Sequence, residues 1–165
     1  MTLYTIGYNG FNIDQFIATL QQFDIEFLID IRELALSRKK GFSKRALIDR
    51  LSAAGIQYDN LRLLGSPKEV RTTYQQNGNS RQFFDTLAKV YRSRESSQQI
   101  DRAVEIAGAT TSCLMCCCAD WMYCHRKAVV EAMLAKNPLS FCHVRRKDDG
   151  STIAETVTRQ IVQAA

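Results

Sequence analysis

Short apolar runs alternate with stretches of helical periodicity along most of this chain, and that alternation constrains its fold more than any other feature. Residues 2–7 alternate in β fashion and run into the turn Gly7-Tyr8-Asn9-Gly10. Over residues 12–23, Ile13, Phe16, Ile17 and Leu20 share one helical face, with Asn12 placed to cap it. Residues 26–31 read as a buried strand. Ser43 opens a helix that runs to Ala54 and stops at Gly55, and residues 56–64 read as a third strand. Helical periodicity returns over residues 80–92 and again to Ala107 from a cap at Ser96 or Ser97. Residues 110–117 and 139–144 read as the fourth and fifth strands, with a helix over 122–135 between them and a final short helix over 154–162. This order implies an α/β fold of three layers, with a mainly parallel central sheet of about five strands flanked by helices. A length of 165 residues suits a single domain over 1–165. With 45% hydrophobic and 24% charged residues, the composition excludes a disordered chain.

The first residues show no cationic leader or cleavage site. No apolar run approaches the roughly 18 residues that span a bilayer. The expectation is a cytoplasmic protein with no membrane partner. In that setting the six cysteines read as reduced thiols, available for packing, metal or chemistry. Five of them, Cys113, Cys116, Cys117, Cys118 and Cys124, lie close together.

Charge is just as localised. From Arg32 to Arg50 seven basic residues stand against two acidic ones, a local +5, while the rest of the chain holds 15 of each and sums to zero. A solvated loop and helix face would explain the segment, and so would an anion-binding site. Lys44 and Arg45 fall in the first turn of the Ser43 helix, where cations oppose the helix dipole and a bound anion would relieve them. Arg126 sits in a similar place on a later helix.

Open parallel sheets bind ligands beyond the carboxyl ends of their strands. The residues that follow the expected strands are the chemically unusual ones of the chain. Arg32, Arg38, Lys44 and Arg126 become candidates for binding a phosphate or carboxylate, since guanidinium offers a planar fork of donors. Tyr8 and Ser37 would add neutral hydrogen bonds, and Cys118 lines the same edge. Cys124, at a helix start beside His125 and Arg126, has the setting that lowers a thiol pKa. It is the candidate nucleophile, with His125 as its proton partner; a packing role would account for it equally simply. No cysteine has the Arg six residues onward that a phosphatase or rhodanese loop carries.

A metal site drawing on Cys113, Cys116, Cys124 and His125 is a further alternative, but strand alternation sends Cys113 and Cys116 to opposite faces. The absence of a Walker loop and of GxGxxG leaves no cofactor indicated. Trp121, Tyr123 and Tyr8 could stack a base or belong to the core. The expected partners are an anionic small molecule (a nucleotide or phosphometabolite) or a nucleic acid, held by an enzyme or by a non-catalytic binding module.

Tyr4-Thr5-Ile6-Gly7-Tyr8, Asp30-Ile31-Arg32 with Ser37-Arg38, Gly41-Phe42-Ser43, Leu64-Gly65, Leu114-Met115-Cys116, Cys124-His125-Arg126, His143 and Asp149-Gly150 together resemble the bacterial and archaeal family grouped as domain of unknown function 488. The resemblance implies the same α/β fold and the same site, and supplies no reaction. This chain departs from the family pattern at Ala35, often Pro, at Ser66, often Gly, and at Cys118, usually Glu. The last change removes a carboxylate from among the arginines.

Overall fold

The computed structural model describes residues 2–138 and 140–157. Six strands form one sheet in the order β3-β2-β4-β1-β5-β6. They are β1 (Thr2–Gly7), β2 (Phe27–Asp30), β3 (Gln57–Asn60), β4 (Ser112–Cys116), β5 (Ser140–Arg146) and β6 (Thr152–Val157). The first five run parallel and β6 returns antiparallel along β5. The helices are α1 (Ile13–Gln22), α2 (Lys44–Ala53), α3 (Lys68–Asn77), α4 (Ser80–Val90), α5 (Arg94–Ala109) and α6 (His125–Lys136). The expected class, an α/β fold around a mainly parallel sheet, is the one observed.

Two apolar cores separate the layers. Phe16, Leu20, Leu47 and Leu51 from α1 and α2 pack on one face of the sheet. Leu87, Ile100, Val129 and Met133 from α4, α5 and α6 pack on the other. Strand β4 shows how one sequence serves both. Cys113 and Met115 point into the first core, Leu114 and Cys116 into the second, as the two-residue period of a strand requires.

Local signals account for most helix ends. Asn12 and Gln15 close a reciprocal capping box on α1. Helix α5 begins at a Ser93 cap, three residues before the expected Ser96. Residues 61–64 are not strand: after the short β3, Arg62–Leu64 form a 3-10 turn. Helix α3 escapes sequence reading because it has no fully buried residue. Only Val70 and Tyr74 pack inward, and the Tyr74 ring stacks on Phe83 at 4.7 Å.

The expected helix over 154–162 is corrected for its described part. Residues 152–157 are strand β6, paired with β5 through a turn at Asp149-Gly150. Thr152, Ile153, Thr156 and Val157 are β-branched and favour that pairing over a helix. Residues 158–162 lie outside the described residues.

No helix among the described residues is long and apolar enough to cross a membrane.

Candidate functional site

The carboxyl ends of β1, β2 and β4 lie side by side, and their loops stay together past the sheet. Tyr8 N–H donates to the Cys116 carbonyl and Asn9 N–H to the Cys117 carbonyl, both at 3.0 Å. Gly7 permits this closeness: a Cβ there would sit 1.7 Å from the Cys118 carbonyl oxygen.

At the end of β2, Asp30 is completely buried and accepts from Arg32 Nε at 2.9 Å, Arg32 Nη2 at 2.6 Å and Tyr58 OH at 2.8 Å. Arg32 Nη1 donates to the Phe42 carbonyl at 2.7 Å. Burial would weaken the Arg32 charge, but hydrogen bonding and attraction from Asp30 outweigh it and raise the guanidinium further. The Arg32 head also lies 5.4 Å from the centre of the Tyr8 ring, which stacks on Phe42 at 4.4 Å. Tyr8 OH donates to Ser37 Oγ at 3.3 Å. The fold thus gathers Tyr8, Arg32 and Ser37 around Phe42. Arg38 and Lys44 remain exposed on the loop and on the first turn of α2. Among the described residues, none of Arg38, Lys39, Lys40, Lys44 or Arg45 forms an ion pair.

The thiol centre lies between β4 and α6. Cys124 is the N-cap of α6 and accepts the Arg126 backbone N–H and Nε–H at 3.5 Å each. Its sulfur is 3.0 Å from Cys116 Sγ and 3.7 Å from His125 Nδ1. His125 Nε2 lies 3.0 Å from the Ile31 carbonyl, an acceptor only, so Nε2 carries a proton there. Arg126 is fully buried; its Nη2 donates to the carbonyls of Cys118 at 2.7 Å and Ala119 at 3.3 Å, and its Nη1 has no partner.

Burial alone would raise the Cys124 thiol. Hydrogen bonding from Cys116 and Cys118 and the charge of His125 reverse this and hold it well below the ordinary thiol range. Burial, followed by hydrogen bonds with Cys118 and Cys124, pushes Cys116 well above that range. The surroundings therefore favour ionisation of Cys124 over ionisation of Cys116.

Arg32 and Arg126 serve the protein's own acceptors, while Arg38 and Lys44 face solvent. Sequence reasoning brought Cys116 or Cys118 together with Cys124 only as part of the metal alternative; the place of Cys116 in β4, on the same face as Leu114, is what sets it against Cys124. Asp30, whose place after a buried strand suits either a general base or a partner of Arg32, is the anchor of Arg32. His143 is buried with Nδ1 2.9 Å from Thr5 Oγ1, and burial and Arg126 lower it to about 3, so it is neutral. A cleft of about 600 Å³ beside it is bounded by Asn9, Trp121, Arg145 and Lys147.

Cys116, Cys124 and His125 place three donor atoms within 4.8 Å of one another. The buried Arg126 guanidinium touches the same sulfur and opposes a cation there, so the arrangement favours an anionic sulfur over a metal centre.

Fold and site together define a three-layer α/β protein with a buried thiol centre at the carboxyl edge of its parallel sheet. A family model described as domain of unknown function DUF488 matches residues 12–133. The chain belongs to this family. The matched span takes in Asp30, Arg32, Ser37, Arg38, Lys44 and the whole thiol centre. No curated protein and no solved structure matches the chain.

Proposed function

We propose that this protein binds a phosphate-bearing ligand, such as a nucleotide, a nucleic-acid end or a phosphometabolite, and acts on it through the Cys124 thiolate. The observation that carries this reading is the environment of the Cys124 sulfur. Two N–H donors of Arg126, the first turn of α6 and the His125 side chain surround it, which is the setting of an activated nucleophile. The ligand's phosphate meets the exposed cations of the β2–α2 loop, above all Arg38 and Lys44. Ser43 makes no side-chain cap on α2, and no acid stands in the helix's first turn. Arg32 and Arg126 contribute as fixed charges behind the loop, and Tyr8 and Ser37 hold the loop's base.

Alkylation by iodoacetamide as a function of pH, mapped by peptide mass spectrometry, tests the thiol. Cys124 is expected to react at neutral pH with a profile shifted down from that of Cys117, and inorganic pyrophosphate is expected to slow it. If Cys117 and Cys118 take up label while Cys124 stays unmodified from neutral pH to pH 9, the reading fails.

The unpaired loop cations also favour a second reading, a non-catalytic nucleic-acid-binding module. Binding of a short 5′-phosphorylated oligonucleotide would then weaken steeply with salt and survive Cys124→Ser unchanged. The enzyme reading requires that variant to bind and lose all turnover.

A further inference from the structure

We infer that Cys116 and Cys124 form a redox couple, in which a small hydroperoxide oxidises Cys124 and Cys116 then closes an intramolecular disulfide with it. This inference rests on Cys124 being the site's reactive thiol and adds a modification that controls it.

The geometry carries the inference. The two sulfurs lie 3.0 Å apart with no bond between them. A disulfide needs about 2.05 Å, so closure asks for roughly 1 Å of approach. Cys116 is the fixed member. It ends β4, is in register with Gly7 of β1, and its carbonyl accepts from Tyr8 N–H. Cys124 is the adjustable one, an extended residue at the junction of a loop and a helix. Cys124, held low, is the sulfur favoured for the first attack, and Cys116, held high, gives up its proton only as it closes the bond.

Access favours a small oxidant. Cys124 is only 1% exposed, whereas residues 117–120 of the covering loop are exposed. Hydrogen peroxide, with two heavy atoms, suits a sulfur enclosed to this degree.

The steps balance. The Cys124 thiolate attacks one oxygen of the hydroperoxide, the O–O bond breaks, and the leaving hydroxide takes a proton from water's pool, leaving a sulfenic acid on Cys124. The Cys116 sulfur then attacks the Cys124 sulfur, the S–O bond breaks, and hydroxide leaves with the Cys116 proton as water. Two thiols are oxidised and one peroxide is reduced to two waters. An external dithiol reverses the bond.

Disulfide closure removes the site's nucleophile. It also takes the negative sulfur away from Arg126, whose Nη1 is already without a partner. Oxidation would therefore silence Cys124 and loosen the hold on the loop together.

The test treats reduced full-length protein with hydrogen peroxide, quenches with catalase, alkylates and maps the peptides. The expected result is a Cys116–Cys124 cross-link, lighter by two hydrogen atoms, with two fewer of the six free thiols titrating and full recovery on dithiothreitol. In Cys116→Ser, dimedone is expected to trap a sulfenic acid on Cys124. A cross-link through Cys117 or Cys118, or a wild-type Cys124 that stays sulfenic, overturns the inference. Dimedone labelling of Cys124 in Cys116→Ser would still support the reactive-thiol reading in that case. No modification of Cys124 in either protein overturns both.

Discussion

Replacing Asp30 by Asn tests how the base of the site is held. Asp30 and Arg32 are 0% and 7% exposed, so neither charge has water to fall back on. Asn keeps one oxygen, enough for the Arg32 backbone N–H, which meets Oδ1 at 3.0 Å, or for Tyr58 OH, which meets Oδ2 at 2.8 Å, and not for both. It cannot offer two charged oxygens to the guanidinium. Arg32 would then retain only the Phe42 carbonyl as a full partner, with its charge still buried. Removing one member of a buried ion pair costs about 3–5 kcal/mol, and the one retained hydrogen bond returns about 1. The expected net loss is about 3 kcal/mol, or roughly 6–12 °C in Tm for a chain of this size. Urea unfolding followed by the single tryptophan, Trp121, which is 7% exposed, measures it directly. The double variant Asp30→Leu/Arg32→Met leaves no orphaned charge and is expected to recover at least half the loss. A loss below about 1 kcal/mol for Asp30→Asn, the scale of an exposed pair, would refute the reasoning. So would a double variant no more stable than the single one.

Other expectations follow from the same geometry. Gly7→Ala drives a methyl group into the Cys118 carbonyl and should destabilise by about 1–3 kcal/mol, seen as a lower urea midpoint; an unchanged midpoint would mean the loop is free to move. His143 falls from 6.5 in the unfolded chain to about 3 in the fold, so it favours the folded state fully above pH 6.5 and that advantage declines as pH drops towards 3. The whole effect is bounded at about 5 kcal/mol, and the difference in pH dependence between wild type and His143→Leu reads it. Arg45→Glu puts an acid in the first turn of α2. It should raise stability by about 0.3–1 kcal/mol while weakening phosphate binding, measured by thermal unfolding and by pyrophosphate protection; a parallel fall in both would contradict an anion site.

The parallel sheet was legible because its central strands β2 and β4 are covered on both faces. β2 and β4 are buried along their whole length, and a continuous apolar run between turn signals is the mark of such a strand. Helix α3 was not legible because Val70 and Tyr74 give too little periodicity, and β6 was not because a short mixed run carries no clear period. At the site, position along the chain indicated the sheet edge correctly, but chemistry could not say whom each side chain serves. Arg126 reads the same whether it meets a ligand's phosphate or its neighbour's sulfur. Only the path of the 117–123 loop, which buries it beneath two carbonyls, decides between them. Asp30 likewise reads as a base or an anchor until Tyr58 and Arg32 are seen to fill its oxygens.

The alternation along β4 has one more consequence. Cys113 and Cys116 lie three residues apart yet belong to different compartments, because the sheet stands between them as a partition. Burial raises the Cys113 thiol and keeps it inert among α1 and α2. An oxidative event at Cys116 and Cys124 would thus be sealed into one half of the molecule, leaving the other half's packing as an undisturbed foundation against which the damaged loop can be rebuilt.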